Sequence, residues 1–184
     1  MATTTRMMTV EGLERDGAPE GRWELINGEL VEMVPGGEDH GIYGLAVGSY
    51  LYTYVIPQQL GRAFGADTGF VLSDDPPVVR VPDAAFVRAE RLPADRDRSR
   101  SLRVVPDIVA EVISPNDRPG EVIAKVMLWL DAGAELVWLV DPGQKTVTVF
   151  DRDRAPRTLT IDHTLDGGEV LPGFKLPVRD IFAG

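Results

Sequence analysis

From Trp23 onward, short apolar runs alternate with turn signals, and the spacing within each run predicts its element. Trp23-Glu24-Leu25-Ile26 and Glu29-Leu30-Val31-Glu32-Met33 flank Asn27-Gly28, which predicts an N-terminal β-hairpin closed by a two-residue turn. Glu24, Glu29 and Glu32 are expected to face outward from it. Pro35-Gly36-Gly37 ends this pattern, and a helix is expected from Glu38 to about Ile56, before Pro57. Ile42, Leu45, Ala46, Ser49, Tyr50 and Tyr54 recur at helical spacing there and are expected to face the core. Gly61 to Leu72 and Val78 to Val87 read as two strands joined through Ser73-Asp74-Asp75-Pro76-Pro77, hence an antiparallel pair.

The run from Ile108 to Ile113 is apolar on both parities except at Glu111, as a strand buried on both faces should be. Ser114-Pro115-Asn116-Asp117 stops it, Asn116 and Asp117 are expected to cap a helix over about Pro119 to Asp131, and Gly133 ends that helix. Leu136 to Val140 reads as a second buried strand, so strand, helix and strand imply a parallel, right-handed crossover. Thr146 to Phe150 folds back as a hairpin, and Arg157 to Ile161 and the tail Leu171 to Val178 read as edge strands. Residues 1–21 lack a pattern and are expected to be loosely ordered, with at most a short helix.

Two acids interrupt apolar strands. Glu111 lies mid-strand, where a carboxylate is costly to bury unless it is hydrogen-bonded, paired or holding a metal. Asp83 shares the parity of Val79, Val81, Ala85 and Val87, so it is expected on a mostly apolar strand face. Lys125 stands about one and a half turns into the helix after the Glu111 strand, near enough to fold back on it. Glu121, four residues earlier, offers Lys125 an ordinary surface ion pair instead. Lysine is scarce in this chain, however, with only Lys125, Lys145 and Lys175 among nineteen basic residues. Asp107 is expected to be a strand-start or capping residue. A carboxylate pair with a nearby lysine suits a divalent cation and an activated water. The same pair could act as acid and base without metal in a glycosidase, although aromatics make up only 7% of the chain.

The stretches WELINGELVEM, EDHG, ADTGF, VPDAAFV, PDIVAEVISPND, the helical Lys125, VWLVDP and LPGFKLPV together resemble the Uma-type family of restriction-endonuclease-like proteins, within the PD-(D/E)XK nuclease superfamily. The resemblance implies an α/β (α+β) fold with a restriction-endonuclease-like core, a mixed central β-sheet flanked by helices, extended or closed by the hairpin and the C-terminal strands. It implies a metal-dependent endonuclease hydrolysing DNA phosphodiester bonds to leave a 5′-phosphate. Asp83, Glu111 and the backbone carbonyl of Val112 would hold Mg²⁺ or Mn²⁺, with Lys125 as the catalytic lysine. The superfamily's usual lysine, two residues after the acid, is replaced here by Ile113, so the resemblance assigns its work to Lys125. His40 and Glu29 are second-tier candidates for the same cleft. A catalytically silent nuclease-fold module, binding DNA or a protein partner, is the alternative; a purely structural protein would instead leave Glu111 paired with an arginine.

Bulk composition adjusts this picture in three places. A chain of 184 residues is expected to form one domain over 1–184. Without cysteine there can be no disulfide, zinc-thiolate site or cysteine nucleophile, and neither a signal peptide nor a membrane span is visible; a cytoplasmic protein is expected. The net charge of −10 opposes DNA binding, which draws on basic surfaces. Between Arg88 and Arg103, six arginines outnumber three acids, making Arg91, Arg96, Arg98 and Arg100 candidate DNA contacts. A homodimer would suit cutting two strands.

Overall fold

The computed structural model describes residues 7–183. Residues 1–6, part of the stretch expected to be loose, lie outside the described residues. In chain order the elements are α1 (Val10–Asp16), β1 (Trp23–Ile26), β2 (Glu29–Glu32), α2 (Glu38–Val55), β3 (Gly61–Gly65), β4 (Phe70–Asp74), β5 (Pro77–Arg80) and β6 (Ala84–Arg88). They continue with β7 (Ile108–Val112), α3 (Pro119–Ala132), β8 (Leu136–Asp141), β9 (Thr146–Asp151), β10 (Arg154–Leu159), β11 (Thr164–Gly167), β12 (Leu171–Pro177) and α4 (Val178–Ile181).

The central sheet has six strands in the order β10-β9-β8-β7-β6-β3. Only β7 and β8 run parallel, with Glu111 beside Leu139, so the sheet is mixed, as expected. Helices flank both faces. Val47, Leu51 and Val55 of α2, with the β11–β12 ribbon and α4, bury one face against Phe86, Ala110, Trp138 and Val140. Val126 and Trp129 of α3, with Phe70 and Leu102, bury the other against Ala85, Val87, Val109 and Val137. Among the described residues no helix is long and apolar enough to cross a membrane.

The Asn27-Gly28 hairpin forms as the sequence predicts, with φ positive at both turn residues (51° and 84°), the geometry that asparagine and glycine tolerate. It does not extend the central sheet. β1 pairs with β5, through Leu25 opposite Val79, in a separate sheet ordered β2-β1-β5-β4, and α1 covers that sheet with Val10. Thr9 caps α1 by accepting the Gly12 N–H, and the Met8 N–H donates to the Gly28 carbonyl at 2.7 Å. The C-terminal strands β11 and β12 likewise form their own two-stranded sheet.

The separate sheet exists because two expected strands break. The Gly61–Leu72 run turns at 66–69, giving β3 and β4. The Val78–Val87 run breaks at Val81-Pro82-Asp83, where proline removes a ladder donor, so that β5 leaves for the second sheet and β6 stays in the first. Asp83 therefore stands at the break, not on a continuous strand face shared with Val79 and Val81.

Two further local expectations fail. The face of α2 turned to the core carries Gly44, Val47, Leu51 and Val55, whereas Ile42 and Leu45 are 41% and 71% exposed. Glycine seats the helix: a Cβ at Gly44 would lie 3.5 Å from the Asp83 Cβ, and one at Gly48 3.6 Å from the Ala84 Cβ. Asn116 and Asp117 do not cap α3, whose N-cap is Arg118; Asp117 instead accepts the Ser114 N–H at 2.8 Å and closes the turn before it.

Candidate active site

The break before β6 and the C-terminal end of β7 meet at one place. Ala84 pairs with Ala110, and the Asp83 N–H donates to the Ala110 carbonyl at 3.1 Å, which sets Asp83 beside the end of β7. The Asp83 Oδ2 accepts the Val112 N–H at 2.7 Å. In an extended strand a residue's carbonyl points to the same edge as its N–H, so the Val112 oxygen also faces Asp83. His40, in the first turn of α2, brings its Nε2 to 3.4 Å from the Asp83 Oδ2. This contact with Asp83 raises the His40 pKa above its ordinary value, against the opposing effect of burial.

Glu111 is enclosed by α3. Its Oε1 accepts the Trp129 Nε1–H at 2.7 Å, and its Oε2 lies 2.8 Å from the Lys125 Nζ. Lys125 and Trp129 are four apart, so one helix face delivers both. Burial, helped by the charges of Asp83 and Glu24, outweighs the attraction of Lys125 and pushes the Glu111 carboxyl up to about 7 from an ordinary 4.5. Burial opposes the charge on Lys125 as well, but Glu111, Glu24 and Asp83 overcome it and raise the lysine, which stays an ammonium.

The hairpin supplies a third carboxylate, Glu24 and not Glu29. Glu29 is exposed on the outer strand, while Glu24 is only 6% exposed. The Glu24 Oε1 accepts the Val81 N–H at 3.0 Å and lies 3.7 Å from the Lys125 Nζ; its other oxygen pairs with Arg80. Lys125 thus sits between Glu111 and Glu24. The expectation that Glu24 faces outward is therefore overturned. Glu24 is held by Arg80 at the end of β5 and by the Val81 N–H just after it, and periodicity within the hairpin carries no sign of that. Trp129 was more accessible to reading, as the residue one turn beyond Lys125.

The arginine-rich segment lies elsewhere. Arg88 and Arg91 both bring Nη1 to 2.7 Å from the Oδ1 of fully buried Asp107, at the start of β7. That is four residues from Glu111, roughly 13 Å along a strand. Arg100 pairs with Glu14 and Asp97, Arg96 donates to the Pro93 carbonyl, and Arg98 is exposed. Asp107 is accordingly the anchor of an ion-pair cluster at the far end of the strand.

Among the described residues no group of three or more His, Cys, Asp or Glu side chains is gathered closely enough to hold a metal ion by itself. Asp83 lies near enough to Glu111 to raise its pKa, and Val112 offers a backbone oxygen beside Asp83. Such a set fits a hard cation of the Mg²⁺ type, which commonly takes one or two carboxylates and keeps the rest of its shell for water and phosphate. Glu24, Asp83 and Glu111 also outnumber the fixed cations Arg80 and Lys125, and that excess adds to the burial that raises Glu111.

Trp129→Phe tests how firmly Glu111 is held. It removes the indole donor while keeping an aromatic ring against Phe70. It is expected to cost about 2 kcal/mol above pH 7, where Glu111 is charged, and less in acid. Urea midpoints at the two pH values check this, and an unchanged midpoint would count against the bond.

A family model, Uma2, described as "Putative restriction endonuclease", matches residues 10–179. Among solved structures, the chain is similar to one described as the crystal structure of "a putative nuclease belonging to DUF820" from Anabaena variabilis. The TM-score is 0.80 and the identity 22%, over 95% of this chain and 97% of that one, a likeness that concerns the fold. No curated protein matches.

Proposed function

This chain belongs to the Uma2 family, and on that premise we propose that it is a divalent-metal-dependent endonuclease that hydrolyses DNA phosphodiester bonds. The observation that carries the proposal is the Glu111–Lys125 pair at 2.8 Å, with Asp83 at the adjoining strand end. Asp83, Glu111 and the Val112 carbonyl would hold Mg²⁺ or Mn²⁺. When bound, such an ion supplies Lewis acidity at a phosphoryl oxygen and lowers the pKa of a coordinated water.

The chain's own groups do the rest. Lys125 places a fixed positive charge where negative charge grows on the phosphate oxygens. Glu24, on the far side of the ammonium, keeps Lys125 in position when Glu111 turns its charge to the cation. Trp129 fixes the Glu111 carboxylate through one oxygen, and the other, now on Lys125, would be shared with the cation. The Val112 N–H and His40 orient Asp83. Water oxygen bonds to phosphorus as the bond to the 3′-oxygen breaks, leaving a 5′-phosphate and a 3′-hydroxyl. Two copies of the chain would be needed to cut both strands at one place, and a cytoplasmic location would give access to DNA.

The test is incubation of plasmid and single-stranded circular DNA with Mn²⁺, Mg²⁺ or chelator, with Asp83→Asn beside the native protein. Cleavage that needs the metal and vanishes in the variant is expected. Absence of cleavage together with absence of Mn²⁺ binding by calorimetry would replace this reading with a silent module that binds DNA or a protein without cutting.

A further inference from the structure

A cavity beside the site is lined largely by apolar and small residues. It has about 580 Å³, lies between α2 and β3, and has Asp83 and His40 at one end and Arg22 on its rim. Its walls are apolar: Leu45, Tyr52 and Phe64 line it. Leu45 and Tyr52 are 71% and 56% exposed, an unusual position for large apolar side chains on a helix whose opposite face is fully buried. Six of its lining positions are glycines, which leaves the space open. A Cβ built at Gly41 or Gly65 would meet nothing within 4 Å.

We propose that this cavity receives an unpaired nucleobase next to the scissile phosphate, so that the substrate is single-stranded or locally opened DNA and not intact duplex. The inference rests on the nuclease reading and adds the form of DNA to it. Three observations select this occupant. Asp83 lines the cavity, so a group bound there lies directly beside the phosphate that Asp83 and Glu111 would engage. In a DNA chain that neighbour is a nucleoside, and its base can enter a pocket only after leaving the stack. The volume falls within the range of small-ligand pockets, about 300–1,000 Å³.

Charge points the same way. Duplex affinity comes mainly from neutralising many phosphates. Here Arg91 and Arg100 are tied to acids, and Arg91 lies toward the far end of β7. On the other side of His40 a second cavity is lined by Glu38, Asp39, Asp117 and Asp141, which would repel a second strand's backbone. Base contact with the aromatic walls Tyr52 and Phe64 can supply affinity instead, as single-strand binders obtain it. Arg22, 44% exposed and paired with the freely exposed Asp67 and the Ala66 carbonyl, can serve one flanking phosphate.

Fluorescence anisotropy with metal-free protein tests this, using one labelled 12-nucleotide strand, its duplex, and a strand of the same length in which every base is replaced by an abasic sugar. The intact single strand is expected to bind roughly tenfold or more tighter than either of the others. Gly41→Leu, at a position where a Cβ meets nothing within 4 Å, is expected to lower single-strand affinity about tenfold or more while leaving abasic binding unchanged. Tyr52→Ala, at an exposed position, should reduce the preference in the same sense and serves if Gly41→Leu fails to fold. Equal or tighter duplex binding, or no effect of either variant in folded protein, would overturn the pocket while leaving the nuclease reading standing. Failure of the native protein to bind any of the three, with and without Mn²⁺, would overturn both.

Discussion

Glu111→Gln is expected to lower metal-dependent cleavage by about 1,000-fold or more, with loss of calorimetric Mn²⁺ binding. The amide keeps the volume and can still accept the Trp129 N–H, so the fold should survive. What disappears is the carboxylate charge nearest Lys125, and with it the several kcal/mol that charge stabilisation by a bound cation contributes. The same variant has a stability signature of opposite sign. The Glu111 pKa is raised in the folded protein, to about 7 from 4.5. Such a group contributes stability that is fully present below its ordinary value and lost as pH rises through the folded one. Metal-free native protein should therefore lose stability, on the order of 3 kcal/mol, between about pH 4.5 and pH 7 relative to Glu111→Gln. Urea midpoints of both proteins across that window give the difference. Parallel profiles would mean that Glu111 is already compensated in the absence of metal, removing the argument for a cation.

Lys125→Met is expected to be the more damaging change to the folded state. It leaves Glu111 and Glu24 facing one another without the ammonium that lies 2.8 Å from one and 3.7 Å from the other. Removing one partner from a buried pair costs about 3–5 kcal/mol. The loss should be greatest above pH 7 and should ease in acid, where Glu111 can take up a proton. Cleavage should fall by about 100-fold or more even at temperatures where the variant is fully folded. Lys125→Arg separates the two effects. Its guanidinium restores charge and much of the stability, but its planar, larger head cannot occupy the point between the two carboxylates and should not restore cleavage. Native-like activity in Lys125→Met would reduce Lys125 to a structural counter-ion.

These two variants concern residues that the sequence singled out, for a reason visible in the chain. A carboxylate inside an otherwise apolar run is anomalous wherever the run folds, and Glu111 is such a residue. Lys125 follows on the next helix, and the turn, helix bounds and glycine stop between them are local features. The hairpin at Asn27-Gly28 was legible for the same reason, because backbone φ at two residues is a near-neighbour property. So was the parallel pairing of β7 and β8, which a strand–helix–strand order imposes.

What the sequence left open depends on contacts between distant segments. Val78–Val87 has the composition of one strand, and only competition for pairing partners divides it, sending β5 to β1 and keeping β6 beside β7. That division places Asp83 at a strand end, where its carboxylate can reach the Val112 N–H and His40. Glu24 enters the site through the Val81 N–H, 57 residues away, and nothing within the hairpin distinguishes it from Glu29. Arg91 leaves the list of free cations because Asp107 takes it, sixteen residues on. Leu45 and Tyr52 line an open cavity because Gly44, Val47, Leu51 and Val55 form the face that seats α2 on the sheet. The sequence by itself determined the elements and the anomalous acid, since periodicity and turn chemistry act over a few residues. Tertiary structure decided which charges meet and which faces stay open, since a side chain's partner is set by how whole strands and helices pack.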